Sequence, residues 1–193
     1  MTKIKICGLM TKHDIKAVNR ARPDLAGFIF AKGRHQIDLK TALILRKLLA
    51  PSIPSVGVFV NAPIESMLKI YNSGAISIIQ LHGQESENTV KTLQAHKIPI
   101  IKVFKPSQNK PQTNADYLML DSGSGNGTAV DWQKIQFKPK QQLIIAGALD
   151  INNVATAIKT IHPTYVDLSR GVETNNIKDP QKISEIVTLV HQL

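Results

Sequence analysis

The chain has 193 residues, 42% hydrophobic and 20% charged, enough for one domain with a substantial core. Its single cysteine, Cys7, excludes an intramolecular disulfide framework and fits a reducing compartment. The formal net charge is +10, but the basic residues are scattered and aromatics make up only 5%, so a surface that attracts a phosphorylated anion is expected rather than one that binds nucleic acid. No apolar stretch approaches the ~20 residues of a membrane span and no targeting segment is evident, so a cytoplasmic location is expected.

Residues 4–7 form an apolar strand that ends in Cys7-Gly8, and 13–22 have helical spacing. A strand over 25–30 precedes a helix over 39–49, whose apolar residues are Leu43, Leu45, Leu48 and Leu49. A third strand, 55–60, leads to a helix over 64–71, with Pro63 suited to its first turn. Strand 75–81, helix 86–95 and strand 98–104 follow. Residues 105–114 hold Pro106 and Pro111 among polar neighbours and read as a loop where a helix is reduced or missing. After strand 117–120 come a Gly/Ser-rich loop, 122–127, and at most one helical turn, 131–135. Strand 143–146 precedes a helix over 152–160, for which Asp150 is the expected N-cap. Strand 164–168 and a closing helix over 180–192, entered through Asp179-Pro180, complete the chain.

Strands joined by crossover helices are parallel, and eight of them can close into a (β/α)8 barrel of the TIM type. The open doubly wound alternative commonly uses about five or six strands. The reading is therefore α/β: one small barrel domain over residues 1–193, with reduced helices after strands five and six.

Such a barrel carries its chemistry on the loops after the strands. Strand one ends in Cys7-Gly8, strand two is followed by Lys32-Gly33-Arg34-His35, and strand four carries Gln80 and then His82. Strand six runs into Asp121, strand seven into Gly147-Ala148, and strand eight carries Asp167 and leads to Ser169-Arg170-Gly171. Polar and ionisable residues thus collect at one end. Taken singly each has a plain structural reading: a buried thiol, a turn-forming Asp121, an Asp167 that pairs with Lys5, a hydrogen-bonded His82. No His or carboxylate spacing suggests a metal site.

The chain resembles the phosphoribosylanthranilate isomerases of tryptophan biosynthesis. The resemblance rests on KICG at 5–8, GFIF at 27–30, VGVFVN at 56–61, QLHG at 80–83, LD at 120–121 with VDW at 130–132, AGAL at 146–149 with NNV at 152–154, and VDLSRGVE at 166–173. It implies a (β/α)8 barrel, a cofactor-free Amadori rearrangement of a small phosphorylated substrate, and general acid–base catalysis with Cys7 as base and Asp121 as acid. Lys5 shares a strand face with Cys7 by period two and could supply a positive field that lowers the thiol pKa.

The loops after strands seven and eight, with Gly147, Ala148, Ser169, Arg170 and Gly171, are the expected phosphate site. Asp167 is expected to line the site, to hold a ribose hydroxyl or the anthranilate nitrogen, or else to pair with Lys5. Gln80 is expected to contact substrate, with His82 beside it on the same face.

The family's serine-x-arginine after GFIF is replaced here by Gly33-Arg34-His35, which puts His35 in the arginine's place with Arg34 one residue earlier. Arg34 is expected to take over the substrate carboxylate, because a guanidinium fork matches a carboxylate and an imidazole does not. A sugar-phosphate isomerase of histidine biosynthesis, which uses an aspartate at the end of strand one, is disfavoured by Cys7, and a non-catalytic barrel by Cys7 with Asp121. A monomer is expected, since no long apolar stripe stands out.

Overall fold

The computed structural model describes residues 1–107, 111–121 and 139–193. Eight parallel strands close into a barrel in the order β1 to β8: Lys3–Cys7, Leu25–Ile29, Ser55–Phe59, Ile78–Leu81, Ile100–Phe104, Tyr117–Asp121, Gln142–Ala146 and Tyr165–Leu168. Six helices cover the described part of its outside: α1 Lys12–Ala21, α2 Leu39–Leu48, α3 Ile64–Asn72, α4 Glu87–Ala95, α5 Val154–Ile161 and α6 Pro180–His191. The expected helix gap after strand five is observed over the described residues between β5 and β6. The expected Gly/Ser loop at 122–127 and the turn at 131–135 lie outside the described residues. Beyond β8 a short hairpin forms from β9 Glu173–Thr174 and β10 Ile177–Lys178. No described helix is long and apolar enough to cross a membrane.

Parallel strands buried on both faces read as near-continuous apolar runs, and their alternation decides which residues line the lumen. On β1, Ile4 and Ile6 are fully buried in the layer between sheet and helices. Lys3, Lys5 and Cys7 take the other face. A second apolar cluster fills the lumen: Leu25, Val56, Ile78, Ile101, Met119, Ile144 and Tyr165, one from each of β2 to β8. Lys3 Nζ lies 5.5 Å from the centroid of the Tyr165 ring below it. The lumen is therefore a packed plug, with Lys3 at its N-terminal end and a polar mouth at its C-terminal end.

Local sequence fixes the loops at that mouth. Thr11 and Asp14 form a capping box at the start of α1, and Asp14 Oδ2 also accepts from Met10 N at 2.8 Å, which ties down the segment after Cys7. Asp38, Ser86 and Asp179 cap α2, α4 and α6 with their side chains, the last with Pro180 at the first turn. The expectation for α5 is corrected. Its N-cap is Asn153, not Asp150. Asp150 Oδ1 instead accepts from Asn152 N at 2.8 Å in an Asx turn one step before the helix. Asn153 Nδ2 reaches back to the Ala148 carbonyl at 2.9 Å, so the loop after β7 claims the side chain. On α2, Leu48 turns outward and is 46% exposed.

Candidate active site

Cys7 is 5% exposed at the end of β1. Its register partner on β2 is Gly27, where a Cβ would stand 2.6 Å from the Cys7 sulfur. The missing side chain is what makes room for the thiol. Two residues earlier Lys5 is fully buried, and its Nζ donates to Asp167 Oδ1 at 3.0 Å across the seam between β1 and β8.

These three groups set one another's charge. Burial works to lower the Lys5 pKa, but Asp167 and then Cys7 outweigh it, and the ammonium is held charged, its pKa raised. Burial pushes the Cys7 thiol upward, Asp167 adds to this, and Lys5 and Lys178 only offset part of it. Lys5 therefore pulls in the expected direction, yet the thiol pKa is raised rather than depressed. Asp167 is also raised, by burial first, with the nearby Asp121 carboxyl adding and Lys5 opposing.

Asp121 ends β6, and His82 Nε2 lies 3.3 Å from its Oδ2. Gln80, 1% exposed, places its amide nitrogen 2.9 Å from His82 Nδ1. With the amide so turned, Nδ1 is the acceptor and Nε2–H points at Asp121, while Gln80 Oε1 is buried without a partner. Gln80, His82 and Asp121 thus form a relay across β4 and β6.

A cavity of about 260 Å³ brings together His82, Asp121 and Asp167 with both loops expected to hold phosphate, 146–149 and 169–171. Close backbone approach joins those loops, since a Cβ on Gly171 would collide with the Leu149 carbonyl oxygen. Gly147 has φ 102°, and Ala148 sits at φ 51°, a left-handed position that a residue with a side chain rarely takes. A wider cavity of about 770 Å³ shares His82 and Asp121 and extends toward Asn61, Lys102 and Phe104. Lys102 Nζ there pairs with Glu85 Oε2 at 3.0 Å. Among the described residues no group of three His, Cys, Asp or Glu is arranged to hold a metal ion.

Arg34 and His35 stand apart from the 260 Å³ cavity. Arg34 Nη2 lies 2.7 Å from Glu173 Oε2, and Nη1 donates to the Asn176 carbonyl at 3.3 Å. His35 Nε2 lies 2.7 Å from Glu173 Oε1, and its ring flanks Gly8 together with the Ser169 hydroxyl. Burial, with the charge of Lys178, lowers the His35 pKa and leaves the imidazole neutral at pH 7. Glu173 carries no role in the sequence reading, and neither does Lys178, which is 3% exposed and 2.8 Å from Glu173 Oε1. The signal that points to them is Asn175-Asn176, a hairpin turn pair between two short β-prone segments.

A family model described as N-(5'-phosphoribosyl)anthranilate (PRA) isomerase matches residues 4–189. The chain is 46% identical over 187 residues to N-(5'-phosphoribosyl)anthranilate isomerase of Lacticaseibacillus casei, covering 97% of this chain and 94% of that one. It superimposes with TM-score 0.86 and 27% identity, over the whole of both chains, on monomers of the dimeric phosphoribosylanthranilate isomerase from Thermotoga maritima. A phosphoribosyl anthranilate isomerase in complex with reduced 1-(o-carboxyphenylamino)-1-deoxyribulose 5-phosphate gives TM-score 0.85 at 27% identity, again over both full chains.

Two expectations follow from this geometry. Gly27→Ala forces the new methyl against the Cys7 sulfur. It is expected to lower stability by about 1–3 kcal/mol, as overpacking does, and to reduce turnover by displacing the thiol; denaturant midpoints and kcat check both. Glu173 is held at a pKa of about 2, below its ordinary 4.5: burial pushes it upward, and Lys178, Arg34 and His35 outweigh that. A depressed carboxyl stabilises the fold fully above pH 4.5 and loses that contribution as pH falls toward 2. Urea midpoints are expected to drop across that window, less steeply in Glu173→Gln.

Proposed function

The chain belongs to the N-(5'-phosphoribosyl)anthranilate isomerase family and is an isomerase of tryptophan biosynthesis, and from that premise we propose how its own residues divide the reaction. The reaction is the Amadori rearrangement of N-(5-phosphoribosyl)anthranilate to 1-(2-carboxyphenylamino)-1-deoxyribulose 5-phosphate. The observation that carries the assignment is the convergence of Asp121, Asp167 and the loops after β7 and β8 on one cavity, with Cys7 beside Lys5 and Asp167.

Asp121 delivers its proton to the furanose ring oxygen as the C1–O bond breaks, leaving a ring-opened iminium. Cys7 as thiolate takes the proton from C2, and the electron pair left behind neutralises the iminium as an enolamine, which tautomerises to the ketone. The resting thiol is kept protonated by burial, so it must first release its proton to solvent before it can act as the base. The cationic iminium and the Lys5 ammonium both favour its thiolate in the complex. His82 Nε2–H, aimed at Asp121 Oδ2 with the Gln80 amide on Nδ1, holds that oxygen and leaves Oδ1 to carry the proton the reaction needs. Asp167 holds Lys5 and faces the substrate's hydroxyl or nitrogen.

The substrate phosphate lies against Gly147, Ala148, Ser169, Arg170 and Gly171, and its carboxylate extends beyond that cavity to the loop after β2, where Arg34 and His35 stand on Glu173. No cofactor enters these proton transfers. We read the chain as one barrel domain over residues 1–193, a cytoplasmic monomer. Among the described residues, the large exposed apolar side chains are Ile44 and Leu48 together on α2, with Val60, Ile151, Ile177 and the terminal Met1 and Leu193 elsewhere.

Turnover, followed as loss of the substrate's fluorescence, tests the assignment. Cys7→Ser is expected to lower kcat about 10²–10⁴-fold with ligand binding retained, because a serine hydroxyl is too weak a base. Asp121→Asn is expected to be similarly impaired with the fold intact. Near-normal turnover in either variant removes that residue from its role.

The carboxylate contact has its own test. Arg34→Ala is expected to raise KM about 10–150-fold at pH 6 and pH 8 alike, the equivalent of ~1.5–3 kcal/mol for a charge-assisted hydrogen bond. His35→Ala is expected to cost less, and less at pH 8 than at pH 6, since the lowered imidazole pKa leaves only a minor charged fraction that grows as pH falls. A silent Arg34→Ala with a severe His35→Ala at pH 6 would assign the contact to His35.

A further inference from the structure

The hairpin that follows β8 turns on Asn175 and Asn176, at φ 52° and 65°, the two left-handed positions of a type I′ turn. That turn sets Lys178 opposite Glu173 in register and folds its side chain back toward the end of β8. There the ammonium is buried, and its three donors match three acceptors. Nζ lies 2.8 Å from the Ser169 carbonyl, 3.3 Å from Ser169 Oγ and 2.8 Å from Glu173 Oε1. Glu173 in turn holds His35 through Oε1 and Arg34 through Oε2. One carboxylate and one lysine therefore tie the loop after β2 to the loop after β8.

A buried ion pair is a poor way to stabilise a hairpin, because desolvating both charges offsets most of their attraction. Its value here lies in what the lysine holds. Ser169 lines the 260 Å³ cavity and Lys178 does not. In a trans peptide the carbonyl and the following N–H point opposite ways. Lys178, by fixing the Ser169 carbonyl, directs the Arg170 N–H away from itself and fixes the plane from which the 169–171 turn starts. Glu173 sits against the ammonium, and Lys178 reaches the 169–171 turn through its hydrogen bonds to Ser169.

We propose that Glu173 and Lys178 are positioning residues, a clamp that holds Ser169 and the 169–171 turn in the geometry that receives the substrate's phosphate, and so set phosphate affinity in this enzyme. The proposal rests on the reading of the 147–149 and 169–171 loops as the phosphate site.

Inorganic phosphate is the probe, used as an inhibitor of turnover. In the unmodified enzyme it is expected to compete with substrate. Lys178→Met is expected to raise both the phosphate Ki and the KM by about tenfold to a hundredfold, with the loss falling more on these than on kcat. Glu173→Gln keeps the side chain's shape and is expected to shift both in the same direction, which keeps the test decisive if Lys178→Met does not fold. A hairpin that is only structural would lower Tm in these variants and leave the phosphate Ki at the unmodified value, and that result overturns the clamp. Phosphate that fails to compete in the unmodified enzyme overturns the phosphate reading of the loops, and the clamp with it, and is distinct from an unchanged Ki in the variants.

Discussion

An ammonium with no access to water must meet a carboxylate, and Lys5 meets Asp167 across the seam where the first and last strands of the barrel join. The pair sits directly above the apolar plug that fills the lumen. It is the level at which the barrel changes from packing to chemistry. Above it the lumen-facing positions turn polar: Cys7 on β1, Gln80 on β4, Asp121 on β6. Each of these is set by strand alternation once Lys5 and Asp167 are in register. A one-residue slip of β1 would exchange Ile4 and Ile6 with Lys5 and Cys7 and put the charge among the helices.

The same level is also where backbones come closest. Gly27 yields its side-chain volume to the Cys7 sulfur, and Gly171 lets the loop after β8 touch the Leu149 carbonyl. These glycines act differently from Gly147, whose left-handed φ is a conformational need. Space around the thiol comes from β2, and the proximity of the loops after β7 and β8 comes from the turn that follows β8. The site is assembled by absences as much as by functional groups.

Most of the barrel was legible in the sequence because each strand carries its own apolar run and four of the six described helices begin at a side-chain cap. Boundaries moved where a turn overrode composition. Ala75 and Ile76 are buried and apolar, yet β4 starts only at Ile78, because Gly74 at φ 79° has just turned the chain. Ile98 is buried as well, but Pro99 cannot donate to a ladder and β5 begins after it. Cys7, Asp121 and Asp167 could be placed at the barrel mouth from the sequence because motifs mark strand ends. Glu173 and Lys178 were not, because the partners of Glu173 lie 138 and 139 positions earlier, and no local period encodes such a contact. The direction of the Cys7 shift was missed for another reason. Strand pattern showed that Lys5 would stand beside the thiol, but the outcome is a contest between that charge and burial, and only the packed structure fixes how dry the site is.

The three lysines buried among the described residues, Lys5, Lys102 and Lys178, lie at the polar end of the barrel, and each pairs with one carboxylate: Asp167, Glu85 and Glu173. Pair by pair they contribute no net charge. The surplus of +10 therefore resides in the rest of the chain, where solvent and salt screen it. Two electrostatic tasks are separated in this way. The outer surplus draws an anionic substrate from a distance and weakens as ionic strength rises. The inner pairs carry no such field. They fix where a thiol, a serine and a carboxyl stand, through hydrogen bonds that salt barely reaches. A surface surplus and a set of internal pairs thus divide the lysines of this chain into one population that acts at a distance and another that acts by contact.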